Sequence, residues 1–281
     1  MKVKIIGEIG INHNGSLELT KKLIDIACVS GCDYVKFQKR NPDVCVPENE
    51  KLKIKSTPWG EMTYIDYKHK IEFDKNEYDE IDRYCKEKNI GWFASVWDKD
   101  SIDFMSKYKT KIDDNEIVVM KIPSALITND ELINYAREKS DYLMISTGMS
   151  TEEEIEKAVE ISNPDLIFHT NSTYPTPVNE LNLEYIKWLS EKYKKCEIGY
   201  SGHEFGLTTT FGAVILGAKW VERHITMDRT MWGSDQMASI EPTGLIKLVK
   251  GIRDLELSMG GYEPRKIYNG ELSKRKTLRG V

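Results

Sequence analysis

Two lysines and two histidines sit where short apolar runs end, and side chains of those types at such places can do chemistry. Lys36 lies near the end of DYVKFQ (33–38), and Lys121 near the end of EIVVMKIPS (116–124). A lysine is rarely buried without an anionic partner. The pair, with hydroxyls at Ser124, Ser146, Ser172 and Ser201, reads as a cradle for a phosphate or a carboxylate. Internal ion pairs to Glu8 or Asp235 are the competing account. His203 follows CEIGYSG (196–202), and His224 closes AKWVERHI (218–225). If these runs are adjacent strands, about 4.8 Å apart, two imidazoles can converge on one divalent ion. Open positions remain for oxygen ligands, as a catalytic metal requires; hydrogen-bonded structural histidines are the alternative. Glu8, Glu222 and Asp235 flank these groups. The set suggests chemistry on an anionic substrate beside a polarised oxygen, with the reaction class open. His13 is a loop candidate for substrate contact, His169 reads as packing at a rim, and His69 has no assignment.

The elements that must hold these residues follow one rhythm. Strand-like runs fall at 3–10, 33–38, 91–97, 116–124, 141–148, 164–171, 196–202 and 218–225. Helical patterns follow them at 16–31, 74–89, 98–108, 129–139, 150–162, 182–193, 206–217 and 242–260. Ser16 and Asp74 are expected helix caps, and Ser150 with Glu153 an expected capping box. Eight continuous apolar strands with helical crossovers predict a parallel sheet covered by helices. Eight such units in about 250 residues are the size of a (β/α)8 barrel, whose sites lie at the C-terminal ends of its strands. A doubly wound sheet is the runner-up, but GEIGINHNG lacks the GxGxxG phosphate loop. Residues 1–261 are expected to form the barrel. Residues 40–73 are a long insertion, of a length that is usually functional. Residues 262–281 are expected to be a tail, the start of a linker or an extended arm.

The composition excludes several classes. Net charge is −5 without a basic stripe, which argues against nucleic acid as the main partner. The first residues are too short and too polar for a signal peptide, and no run approaches about 18 apolar residues, so no membrane span is expected. Five cysteines without a CxxC pair suit packing thiols in a reducing, cytoplasmic setting. Cys28 and Cys32 are expected on one helix face.

The segments EIGINHNGS, YVKFQ, KIPS, ISTGMS, STYPTP, YSGHE and ERHITMDRTMWGSDQMASIEP resemble the sialic acid synthase (N-acetylneuraminate synthase) family, in order along nearly the whole chain. The resemblance implies a (β/α)8 TIM barrel that condenses phosphoenolpyruvate with an aldose, N-acetylmannosamine or a related aminosugar. The product is a 2-keto-3-deoxy sugar acid of the sialic acid type, and phosphate is released. It implies that Lys36, Lys121, Ser124, Ser146, Ser172 and Ser201 hold phosphoenolpyruvate and that His203 and His224 bind Mn2+ or Mg2+. Glu8, Gln38, Tyr174 and Asp235 then face the sugar and the reacting carbons, Glu8 ahead of Asp235 as the group that deprotonates water, and Glu222 orients metal-bound water. A homodimer is the family's habit. Members usually continue into a small C-terminal antifreeze-like domain, and this sequence ends at Val281, about where that domain would begin. Gly202 stands where an Asp often precedes the metal histidine, Ser234 replaces a common Pro, and Trp232 adds a bulky group at the sugar side. The alternatives are the same condensation with an unacylated hexose, a pentose or a phosphorylated aldose, or a non-catalytic barrel that binds anionic sugars. No Arg cluster for a second phosphate is apparent along the chain.

Overall fold

The computed structural model describes residues 2–280. Eight parallel strands close into a barrel: β1 Lys4–Gly10, β2 Tyr34–Lys39, β3 Gly91–Val96, β4 Val119–Ile122, β5 Tyr142–Ser146, β6 Leu166–Thr170, β7 Glu197–Gly202 and β8 Trp220–His224. The helices between and after them are α1 Leu17–Ser30, α2 Lys75–Lys88, α3 Lys99–Met105, α4 Asp130–Lys139, α5 Glu152–Ser162, α6 Tyr185–Lys192, α7 Thr208–Ile215 and α8 Pro242–Met259. The (β/α)8 TIM barrel expected from the rhythm of runs is therefore present.

The strands alternate faces with period two, as extended chain must. Ile5, Ile9, Val35, Phe37, Met120, Ile122 and Val221 point outward and form the main core with the helices. Ile6, Tyr34, Phe93, Val119, Met144, Leu166, Phe168 and Trp220 pack together as a second, separate cluster inside the barrel. Trp220 stacks on Tyr34 with ring centroids 5.3 Å apart. This plug fills the barrel's lower half and separates its N-terminal end from the C-terminal mouth.

Local signals explain most boundaries, and some differ from expectation. Ser16 caps α1, and Asp74 with Glu77 forms a capping box on α2. On α5 the box is Thr151 with Glu154, not Ser150 with Glu153. The Ser150 hydroxyl donates to the Gly148 carbonyl and is not available as a cap. Gly31, in the left-handed region at φ 86°, ends α1, so Cys32 lies beyond the helix and does not share a face with Cys28. Burial pushes the Cys32 and Cys85 thiols well above the usual range, consistent with inert packing. The expected fourth strand is shorter, because Asn115–Ile117 pairs instead with Thr110–Ile112 in a hairpin under the barrel. The tail is not wholly extended: Asn269–Arg279 is a helix that buries none of its side chains. No helix among the described residues is long and apolar enough to cross a membrane.

The insertion folds back over the mouth. Ile54–Thr57 and Gly60–Thr63 form a hairpin, followed by a helix, Tyr64–Ile71. Tyr67 and Ile71 of that helix pack on Ile11 at the end of β1. Tyr67 and Trp59 also meet the ring of Trp232 edge-on, at 5.1 and 6.1 Å between centroids.

Candidate active site

Above the plug the inward positions turn polar, two residues further along each strand. Ile6 gives way to Glu8, Tyr34 to Lys36 and Gln38, Phe93 to Ser95, and Val119 to Lys121. Met144 gives way to Ser146, and Trp220 to Glu222 and His224. The register places Glu8 beside Lys36 on one side and His224 on the other, and Ser201 beside Glu222. Closing the barrel then brings these strand ends around one cavity of about 200 Å³. Its lining includes Glu8, Lys36, Gln38, Lys121, Ser124, Ser146, Ser172, Tyr174, Ser201, Glu222, His203 and His224. Of the candidates named from the sequence, Asp235 and the loop residue His13 are not in this lining.

The floor of the cavity is a buried set of alternating charges. Lys36 Nζ stands 2.9 Å from Glu8 Oε2 and 3.6 Å from Glu222 Oε1, and donates to Ser95 Oγ at 2.8 Å. Lys121 Nζ donates to both Glu222 oxygens, at 2.9 and 2.8 Å, and lies 4.1 Å from the centre of the Phe168 ring. Ser201 donates to the same carboxylate at 3.2 Å. The internal ion pairs are therefore real, but they run to Glu8 and Glu222 and not to Asp235.

These contacts split the two carboxylates. Burial raises the Glu8 carboxyl to about 7, against the pull of Lys36. Burial would also raise Glu222, but Lys121 and Lys36 overcome it and hold that carboxyl near 2. Burial lowers the Lys121 ammonium to about 8, with Glu222 acting against the shift. Two lysines thus face one permanent carboxylate and one that is half protonated near neutrality. The cluster carries surplus positive charge and is suited to an entering anion.

On the opposite wall, His203 and His224 have ring centroids 5.3 Å apart, and Tyr174 lies across His203 at 4.0 Å. Burial lowers both imidazoles to about 3, so both are neutral at physiological pH. His203 Nδ1 sits 2.7 Å from the Asn171 carbonyl, a contact in which Nδ1 donates and Nε2 keeps its lone pair. The buried Nδ1 of His224 has no hydrogen-bond partner. Neutral, neighbouring imidazoles with these unused valences fit a divalent ion. Among the described residues no group of three or more His, Cys, Asp or Glu side chains is arranged to hold one. Substrate or water oxygens would have to complete the coordination.

The remaining candidates sort by geometry. Ser124 and Ser172 come close because residue 148 is glycine: a Cβ there would stand 2.2 Å from Ser172 Oγ and 2.8 Å from Ser124 Oγ. Gly202 has a similar reason, since a Cβ would meet Glu204 Oε2 at 2.5 Å. That wholly buried carboxylate accepts from Arg223 at 3.0 Å and from Tyr200 at 2.9 Å, and so braces the turn that carries His203. Asp235 lies behind His224, Oδ2 3.8 Å from Nδ1, with its other oxygen accepting from Ser234 at 2.6 Å. It flanks the cavity and does not line it. Trp232 is likewise outside the lining, engaged by the insertion. His13 stacks on Phe73 at 4.2 Å, and its Nδ1 accepts from the Gly15 amide, so it is structural. His169 bonds the Leu181 carbonyl at 2.6 Å on the barrel's rim, as its place in the sequence suggested. Sequence reading missed Trp97, Met149 and Thr170 in the lining. Thr170 could have been found from the inward alternation after Phe168; Trp97 and Met149 carry no polar signal.

Residues 23–264 match the model of the NeuB family. The chain belongs to that family. A member from Drosophila melanogaster, an N-acetylneuraminate-9-phosphate synthase, is 35% identical over 94% of this chain and 71% of its own. The N,N'-diacetyllegionaminic acid synthase of Campylobacter jejuni is 35% identical over 92% of this chain and 78% of its own. Among solved structures, the N-acetylneuraminic acid (sialic acid) synthetase of Leptospira borgpetersenii, in complex with citrate, superposes with a TM-score of 0.83. It is 31% identical and covers 99% of this chain and 93% of the other. As a NeuB-family protein, the chain is a phosphoenolpyruvate-dependent sugar-acid synthase, a transferase that forms a carbon–carbon bond.

Proposed function

We propose that the cavity condenses phosphoenolpyruvate with N-acetylmannosamine or a related aldose to a sialic-acid-type product. The observation that carries this reading is the Lys36–Glu8 and Lys121–Glu222 cluster facing the His203–His224 pair across one cavity. Lys36 and Lys121 hold the phosphate and carboxylate of phosphoenolpyruvate, with Ser124, Ser146, Ser172 and Ser201 as hydroxyl donors. Glu222 keeps the two ammonium groups charged and in place until the anion arrives. Gln38 and Tyr174 position the acceptor. His203 and His224 would hold Mn2+ or Mg2+, which when bound supplies polarisation of the acceptor aldehyde oxygen.

With the aldehyde in place, C3 of phosphoenolpyruvate attacks its carbonyl carbon and water adds at C2. Glu8 accepts the proton from that water. Its position in the cluster and its carboxyl near 7 suit a general base at neutral pH. Asp235, second choice from the sequence, is less well placed because His224 stands between it and the cavity. The proton held by Glu8 passes to the aldehyde oxygen, which becomes a hydroxyl; the C2–O bond then breaks as the C2 hydroxyl gives its proton to the leaving phosphate and becomes the keto group, and the lysines stabilise that phosphate. Neither lysine needs to lose its proton. A cytoplasmic homodimer is part of the same reading.

The test is phosphate release from phosphoenolpyruvate with Mn2+ and a panel of aldoses. Release with an N-acylated hexosamine supports the proposal. No release with any aldose overturns it.

A further inference from the structure

The loop just past β1 carries a buried polar side chain that the proposed chemistry does not use. Asn12 is only 2% exposed. Its Nδ2 donates to the Ile225 carbonyl at 2.9 Å and to the Ser239 hydroxyl at 2.8 Å. A carbonyl only accepts, which settles the orientation of the amide. Ser239 in turn donates to the Asp235 carbonyl at 2.6 Å. Ile225 and Ser239 stand at the two ends of one loop. The chain leaves β8 at Ile225 and returns beside it at Ile240, whose amide donates to the His224 carbonyl at 2.7 Å. Asn12 thus clips the outgoing and the returning strand of that loop together. Gln236 reinforces the clip by donating to the Asn12 carbonyl at 3.3 Å, and Asn14 adds a second one, to the Trp232 carbonyl at 2.9 Å.

What the clip holds is Asp235. Its carbonyl is tied through Ser239, and its carboxylate Oδ2 stands 3.8 Å from His224 Nδ1, a buried nitrogen with no hydrogen-bond partner. That separation is too long for a hydrogen bond, so a loop shift of less than about 1 Å decides whether the contact is made or lost. Asn12 Oδ1 is itself buried without a partner. An unpaired buried acceptor costs stability, so this amide is poorly suited to filling space alone. Its two donated bonds are what it contributes. We propose that Asn12 is a positioning residue for the metal side of the site: acting through Ser239, it fixes Asp235 behind His224, and the Asp235 carboxylate holds the orientation of the imidazole. This rests on the synthase reading above, in which His224 is one of the metal pair.

The experiment labels the histidine rings with 15N and follows the His224 ring signals, without added metal, in the wild type, Asn12→Ala and Ser239→Ala. Ser239→Ala cuts the tie to Asp235 and spares the bond from Asn12 to Ile225, so it keeps the test open should Asn12→Ala fail to fold. Both substitutions are expected to move the His224 signals and to leave those of His169, on β6, in place. Mn2+ affinity, measured by paramagnetic resonance of the free ion, should fall about 10-fold in each, as for loss of a group that orients a metal ligand. KM for phosphoenolpyruvate, read at Lys36 and Lys121, should stay unchanged. The double variant should be no worse than Asn12→Ala alone, because the two bonds act in series. His224 signals that stay in place in both variants overturn the proposal. So does a displacement shared equally by His169, which marks a general loosening of the fold. The ring signals need neither metal nor turnover, which keeps the two proposals apart. If they move as expected while the wild type releases no phosphate with any aldose, the positioning role stands and the synthase reading fails. Normal turnover with unmoved signals does the reverse.

Discussion

At the residue scale the division of labour rests on Glu8 and Glu222, two buried carboxylates in one cluster with opposite proton affinities. Glu222 meets both lysines, while Glu8 meets one and feels the charge of Glu222. Glu8→Gln is expected to keep the hydrogen bond from Gln38 but remove the proton acceptor, lowering kcat by about 10²- to 10⁴-fold. An unchanged kcat would exclude Glu8 as the base. The pH profile carries a matching sign. The ionised form of Glu8 is the competent one, so kcat/KM should rise as pH passes through about 7. The charged form of Lys121 binds the anion, so kcat/KM should fall as pH passes through about 8. A rate profile of the free enzyme that is flat between 6 and 9 would contradict both assignments. For the histidines, Mn2+ affinity measured by paramagnetic resonance should drop at least about 10-fold in His203→Ala, as loss of one of two imidazole ligands requires.

At the element scale, the turn after β7 shows how a strand end is fixed from behind. Arg223 faces out of the barrel between Val221 and Ile225, where its neighbours along the strand are apolar. It is tolerated because Glu204, Thr210 and two backbone carbonyls accept from its two terminal nitrogens, leaving only the buried Nε without a partner. Glu204→Ala would strand that buried charge. It is expected to cost about 3–5 kcal/mol in urea unfolding and to loosen the turn bearing His203. A loss below 1 kcal/mol would show that the pair is not bracing the turn. The insertion is positioned differently, by aromatic edges. Tyr67 and Trp59 against Trp232 hold it over the mouth, so Trp232 packs against the insertion and does not line the cavity.

At the scale of the whole molecule, the barrel separates stability from chemistry along its axis. The interior plug around Trp220 lies below the charged layer, and Lys121 over Phe168 is where the two layers touch. Trp220→Ala should cost about 3–5 kcal/mol, as truncation of a large buried aromatic does. Its effect on KM for phosphoenolpyruvate should be small, because Trp220 contacts neither substrate. A large rise in that KM with unchanged unfolding would reverse this view of the plug.

What the sequence determined alone was the local part. Period-two alternation is set by the extended backbone, so the strands and their inward polar residues were legible, from Glu8 and Lys36 to Glu222 and His224. Capping and glycine signals placed α1 and α2 for the same short-range reason. Other features depended on which distant segments meet. Glu222 was expected to orient metal-bound water, and its pairing with Lys121 became visible only with closure of β8 opposite β4. Asp235 looked like a site residue, and the loop's return path put it behind His224. Such juxtapositions come from barrel closure and aromatic packing between segments far apart in the chain. No spacing along the chain encodes them, so the tertiary structure alone decided them.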